Sequence, residues 1–430
     1  MRRLRLVLIT AALFCVFGSG GFAAETNRPV VMPAAAFQLP QLPGLGGPSA
    51  DWRQYDSFFT FVVKRFGQDL GGDLKDSLGD AFLDSRYELT STVARVGGGN
   101  PVPELFVSSW KRLSPILNKA LPSLSKQTAS QYSSFISAAD KLALVGGQGS
   151  QLGLMQISPD VLRGMARFVA PSATADPLAF TTNVDSDLRN LLGFGSAPAL
   201  PGSSGTRQSR FDGRSYSRML QEALAILSWF RNEAIAAEDR KLNQWLPDPA
   251  DLQAYLAQVR SLLLGVSDKL ARKSKMTDEQ KVIYRQIVYT AAWQESCWRQ
   301  YVRKGKQLTP LASTTGDLGL MQVNRNTWRS VYDLKGLGGD IEYNGNAGGE
   351  ILLYYLTRHA IKKNEDKQPG GNLARATYSA YNGGPGALGR YRAAKVAAAW
   401  KKVDEAFWEK FQIVSSGREL EVQRCYEKIP

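Results

Sequence analysis

The chain has 430 residues, a formal net charge of +14, 43% hydrophobic and 21% charged residues, one histidine and three cysteines. This length holds two or three domains with real cores, and the composition is that of a globular protein. A single histidine and so few thiols exclude a conventional zinc site or a histidine-based triad. The absence of G-x-x-x-x-G-K-[ST] argues against a phosphate-cradling nucleotide loop, and the positive charge points to a polyanionic partner such as nucleic acid, anionic lipid or an acidic cell-wall polymer.

Residues 1–23 read as a signal peptide. Arg2, Arg3 and Arg5 make a positive start, the apolar run from Leu6 to Gly18 is short for a membrane span, and Gly21-Phe22-Ala23 supplies a small-x-small cleavage pattern. An exported, periplasmic protein without an integral membrane span is expected. Cleavage removes Cys15 and leaves Cys297 and Cys425, which in an oxidising compartment are expected to form a disulfide.

Residues 24–50 are rich in Pro, Gly and Ala and read as a linker. A helical accessory domain is expected over 51–194, with helical pieces at 104–120, 126–145 and 152–170. A second linker covers 195–212, and a helical connector covers 213–275, opened by the amphipathic set Tyr216, Leu220, Ala223, Leu224, Leu227 and Phe230. Gly153-Leu154-Met155-Gln156-Ile157 nearly repeats Gly319-Leu320-Met321-Gln322-Val323. A degenerate internal copy and coincidence both explain it. No glutamate stands at the matching upstream position, where Ala129 lies, so a second active site of the same kind is not expected.

The informative stretch is 277–322. Thr277 and Gln280 form a capping-box pattern. Tyr284, Val288, Ala291, Ala292 and Glu295 then fall at i, i+4, i+7, i+8 and i+11, one helical face that ends in a carboxylic acid. Poor solvation there would favour the neutral form and suit a general acid; pairing with Arg299 at i+4 is the bland alternative. His359 reads as a structural residue.

The motifs around Glu295 resemble the catalytic domain of the soluble lytic transglycosylases, relatives of goose-type lysozyme. Glu295-Ser296 is followed by Ser313, Gly316, Gly319, Leu320, Met321 and Gln322 in the pattern S-x-x-G-x-x-G-L-M-Q. Asp340, Asn344 and Gly348 then match D-x-x-x-N-x-x-x-G, and Ala380-Tyr381-Asn382 is followed by Gly383, Gly384, Pro385 and Gly386. The resemblance implies a mainly α protein whose lysozyme-like domain spans 276–410, with a tail at 411–430. It implies a peptidoglycan lytic transglycosylase that cleaves the β-1,4 bond between N-acetylmuramic acid and N-acetylglucosamine and leaves 1,6-anhydromuramic ends, without metal or cofactor. Glu295 would be the acid and base. Ser313, Met321, Gln322, Tyr381 and Asn382 would bind substrate, Met321 and Gln322 lining the glycan cleft and Tyr381 and Asn382 keeping Glu295 oriented. The expected partners are glycan strands, and cell-envelope proteins through residues 51–194, but not nucleic acid.

Two positions depart from the pattern. Trp298 follows Glu-Ser-Cys, where a bulky ring would border the cleft. Asp317 is a second carboxylate that would allow a hydrolytic muramidase, activating water as a base; an exposed turn aspartate is the alternative. A low-activity peptidoglycan-binding scaffold is the reading from a different class.

Overall fold

The computed structural model describes residues 50–94, 101–149, 157–171, 174–200 and 242–427. The signal peptide, nearly all of the 24–50 linker, residues 153–156 of the near-repeat, and the helix expected from Tyr216 to Phe230 lie outside the described residues. Most of the described chain is α-helix, and none of its helices is long and apolar enough to cross a membrane.

The first half is built by aromatic periodicity. Helix α1 (Ala50–Asp69) buries Tyr55, Phe58, Phe59, Val62, Val63 and Phe66 at the spacing of one helical face. These rings meet α2 (Gly72–Val93), α3 (Val102–Ala120) and α4 (Lys126–Gly149); Phe135 of α4 lies 6.3 Å from Phe58 and 5.5 Å from Phe66 between ring centroids. Two short helices finish this half. In α5 (Pro159–Val169) the Ser158 hydroxyl caps the start, and in α6 (Ser186–Leu192) Asp185 accepts from the Asp187 and Leu188 amides. Gly193, in the left-handed region at φ 75°, ends α6.

The second half begins with α7 (Leu252–Ala271), which packs beside α8 (Asp278–Ser296). The capping box at Thr277 and Gln280 is present, with both reciprocal hydrogen bonds, and Tyr284, Val288, Ala291 and Ala292 are fully buried. Beyond α8 come two small antiparallel hairpins, β1 (Tyr301–Lys304) with β2 (Gln307–Pro310) and β3 (Asp317–Leu318) with β4 (Val323–Asn324). Then follow α9 (Leu334–Gly339), α10 (Ile341–Tyr354) with a π-helical extension over Tyr355–Ile361, α11 (Leu373–Gly383) and α12 (Ala398–Ser415). Cys297, at the end of α8, is joined to Cys425 in the C-terminal segment by a disulfide, at a sequence separation of 128. A cross-link over so long a loop contributes about 2–4 kcal/mol.

The two halves share a buried polar interface. Asp56 of α1 receives Arg86 Nε at 3.1 Å and Arg329 Nε at 2.7 Å, and all three side chains are almost completely buried. Arg86 also donates to the Arg329 carbonyl at 2.7 Å, and Arg189 of α6 reaches the Val331 carbonyl and Glu350. Burial alone would raise the Asp56 pKa, but the charges of Arg329 and Arg86 outweigh it and hold the carboxyl below its ordinary value. The helical first half is thus seated on the loop that follows β4.

Candidate active site

Glu295 is the penultimate residue of α8. The residue is half-buried, and the protein packed around it disfavours the charged form of its carboxyl group. Its partner is not Arg299: that guanidinium donates to the Ser296 carbonyl and lies over the Tyr426 ring. The carboxylate instead accepts from the Tyr378 hydroxyl, 2.8 Å from Oε1. Tyr378 is on α11, fully buried, and stacked on Phe407 of α12 at 4.0 Å with planes 3° apart. Burial pushes the Glu295 carboxyl up to about 8; the Tyr378 bond and Lys410 oppose the shift, and the nearby charge of Asp317 adds to it. Lys410 itself is engaged with Gln294 at 2.6 Å.

The loop carrying Gly319 to Gln322 is held under Glu295 by amides. Gln300, buried, accepts from Leu320 N at 2.7 Å and donates to the Leu337 and Gly338 carbonyls at 3.0 Å each. Asn344 accepts from Met321 N at 2.8 Å and donates to the Leu318 and Leu337 carbonyls. The hydroxyl of Ser296, next to the acid, donates to the Leu320 carbonyl at 2.6 Å. Each of these buried loop groups is therefore satisfied by a side chain rather than by water. Asp340 caps α10, and Gly348 leaves the space that Met321 fills. Gly319 sits at φ 70°, and a Cβ there would lie 2.3 Å from Gln300 Oε1 and 2.6 Å from Asn344 Nδ2. Gly319→Ala is expected to cost at least about 1–3 kcal/mol and to lower turnover, read together by thermal denaturation and an activity assay.

The structure redistributes several residues expected at the cleft. Met321 does not line it: the side chain is fully buried against Gly348, because its backbone is drawn inward by Asn344. Trp298 is likewise fully buried, its indole donating to the Tyr289 carbonyl at 3.1 Å, because Cys297 and Trp298 both adopt left-handed backbone and turn the ring under α8. Tyr381 does not hold Glu295; its hydroxyl donates to the Met321 carbonyl at 2.5 Å and thereby braces the loop. The orienting bond comes from Tyr378, which sequence reasoning missed. It stands three residues before Tyr381, on the same face of α11, and that spacing was the available signal. Gln322, at φ 47°, points its amide nitrogen at the Gly319 carbonyl, 2.8 Å away. Asn382 is half-buried and its Oδ1 has no hydrogen-bond partner.

Asp317 is not an exposed turn residue. Its Oδ2 accepts from the Ser313 and Thr315 hydroxyls, both at 2.5 Å, and its Oδ1 accepts from Asn324 at 2.7 Å. Ser313 also accepts from the Asp317 amide at 3.0 Å, so the hydroxyl expected to meet substrate is occupied in fastening this loop. His359 is buried between Tyr354 and Tyr355, with Asp80 of α2 at 3.3 Å.

A helical domain of this kind, with a glutamate of raised pKa at a helix end beside an amide-braced G-L-M-Q loop, has a lysozyme-like architecture. Residues 273–403 match the family model described as Transglycosylase SLT domain, and this part of the chain is an SLT domain. No curated protein and no solved structure matches the chain. An SLT domain implies peptidoglycan lytic transglycosylase activity in general, on a substrate that lies outside the cytoplasm.

Proposed function

We propose that the chain is an exported, periplasmic enzyme that cleaves the β-1,4 bond between N-acetylmuramic acid and N-acetylglucosamine and closes 1,6-anhydromuramic ends, with Glu295 as its only acid and base. Glu295 gives its proton to the glycosidic oxygen as the bond to the muramic C1 breaks. The resulting carboxylate takes the proton of the muramic C6 hydroxyl while O6 bonds to C1. An intramolecular nucleophile of high effective molarity replaces water, so no second carboxylate is needed. The observation that carries this reading is the half-buried carboxyl at the end of α8, oriented by the Tyr378 phenol and pushed by burial up to about 8, which suits a proton donor at neutral pH. Gln322 and the unpartnered Asn382 Oδ1 are the amides proposed to meet sugar hydroxyl and N-acetyl groups.

The hydrolytic alternative needs Asp317 as a base with a free lone pair aimed at water. Its oxygens already accept three hydrogen bonds from their own loop, which fits a loop fastener better. Mass spectrometry of muropeptides released from purified sacculi tests the choice. Products one water lighter than reducing-end muropeptides are expected; full-mass reducing ends would move the chemistry to hydrolysis.

The protonation state gives a further expectation. Activity should be present at neutral pH and fall as Glu295 ionises near pH 8. The Tyr378 bond favours the ionised form, so Tyr378→Phe should move this alkaline limb to higher pH while lowering turnover through lost orientation. A pH–rate profile of the two proteins checks both the direction and the loss.

A further inference from the structure

The acid is oriented by α11, and α11 ends in a place where its backbone cannot complete its own hydrogen bonds. The Ala380 carbonyl finds the Gly384 amide at 2.8 Å, but the next carbonyl, that of Tyr381, would need the amide hydrogen of residue 385, which is proline. The missing donor comes from the other half of the chain. The Tyr87 hydroxyl of α2 donates to the Tyr381 carbonyl at 2.8 Å, and itself accepts from Tyr355 at 3.4 Å. One turn earlier on α2, Asp84 Oδ1 accepts the Gly386 amide at 2.8 Å. Gly384 makes the approach feasible: at φ 89°, any Cβ would lie 3.0 Å from both Asp84 Oδ1 and the Tyr87 ring.

We propose that Tyr87 and Asp84 are positioning residues for the reaction, and that the helical first half serves as the back wall of the active site, setting the end of α11 and through it the phenols of Tyr378 and Tyr381. The inference rests on the assignment of Glu295 as the acid. Tyr87 and Asp84 bond to the Tyr381 carbonyl and the Gly386 amide, whereas the Glu295 carboxyl is held by Tyr378; they act by satisfying a buried carbonyl and a loop amide. Losing either bond lets the α11 terminus relax by a fraction of an ångström, which the acid's orientation does not tolerate.

The test uses the full chain and compares wild type, Tyr87→Phe, Asp84→Ala and Asp84→Asn, with Glu295→Gln as the blank. Steady-state kinetics on soluble glycan strands should show kcat lowered about 10- to 100-fold in Tyr87→Phe and Asp84→Ala, as expected for a small misplacement of a catalytic group, with KM little changed. Asp84→Asn, whose amide oxygen still accepts the Gly386 amide, should recover most of the rate that Asp84→Ala loses. Amide hydrogen exchange over residues 381–388 should quicken in the two deficient variants, a readout that does not depend on turnover. Wild-type kcat in both, whatever their melting temperatures, would make the contact merely structural and overturn the proposal, as would unchanged exchange. Should the wild type prove no more active than Glu295→Gln, unchanged exchange in Tyr87→Phe and Asp84→Ala would sink this inference and the functional reading together, whereas quickened exchange in those variants would contradict the functional reading alone.

Discussion

Glu295→Gln is expected to reduce turnover by about 10²- to 10⁴-fold, the contribution typical of a positioned general acid–base. The substitution keeps shape and the Tyr378 contact while removing the transferable proton, so binding to glycan should persist. Stability should change in a pH-dependent way. The folded-state pKa, about 8, lies above the ordinary carboxylate value of 4.5, so the folded chain holds a proton that the unfolded chain has released between those limits. This group therefore contributes most stability below about pH 4.5 and loses that contribution as pH rises through 8. The Gln variant lacks the titration and should show a flatter dependence of melting temperature on pH over that window. A variant that releases muropeptides at the wild-type rate would exclude Glu295 as the acid and move the chemistry to another carboxylate, whereas no release by either protein would favour the binding-scaffold reading.

Asp56→Ala is expected to be the most destabilising single change at the interface, by about 3–5 kcal/mol, because it strands two buried guanidinium groups. Arg86 and Arg329 each retain carbonyl acceptors, which keeps the cost from growing further. The sign with pH is opposite to that of Glu295. The Asp56 pKa is lowered in the folded state, so its stabilisation is present above the unfolded carboxylate value of about 4 and is lost as pH falls through the folded one. Urea denaturation at neutral and acid pH measures both: a wide gap between wild type and variant at neutral pH should close under acid conditions. A neutral-pH difference below about 1 kcal/mol, the scale of an exposed ion pair, would mean that the triad is hydrated in solution.

What could be read beforehand was local. The capping box at Thr277, the apolar stripe that ends on Glu295 and the ordered motifs through Gln322 all follow from spacing along one chain segment, and these placed the acid on its helix. Side-chain direction was harder. Met321 and Trp298 sit in motif positions beside the cleft but face the core, since one backbone is pulled in by Asn344 and the other turns through left-handed φ values that apolar patterning does not encode. Tyr378 escaped notice because tyrosine at a core position of α11 reads as packing, and only the fold brings its hydroxyl to Glu295. The contribution of the first half had no local signal at all. Asp56, Arg86 and Arg329 are hundreds of residues apart in part, and each reads alone as a charged residue of a solvated helix or loop. Their meaning lies in the pairing, as does that of Tyr87 with the carbonyl that Pro385 leaves unsatisfied.

Carbon-13 NMR titration of the Glu295 side-chain carboxyl, assigned by difference from Glu295→Gln, tests most directly whether one protonated carboxyl can do this chemistry at neutral pH. A midpoint near 8 is expected, shifting upward in Tyr378→Phe. A midpoint in the ordinary glutamate range, about 4.3, would leave Glu295 ionised at neutral pH, contradict its role as the proton donor, and return attention to Asp317.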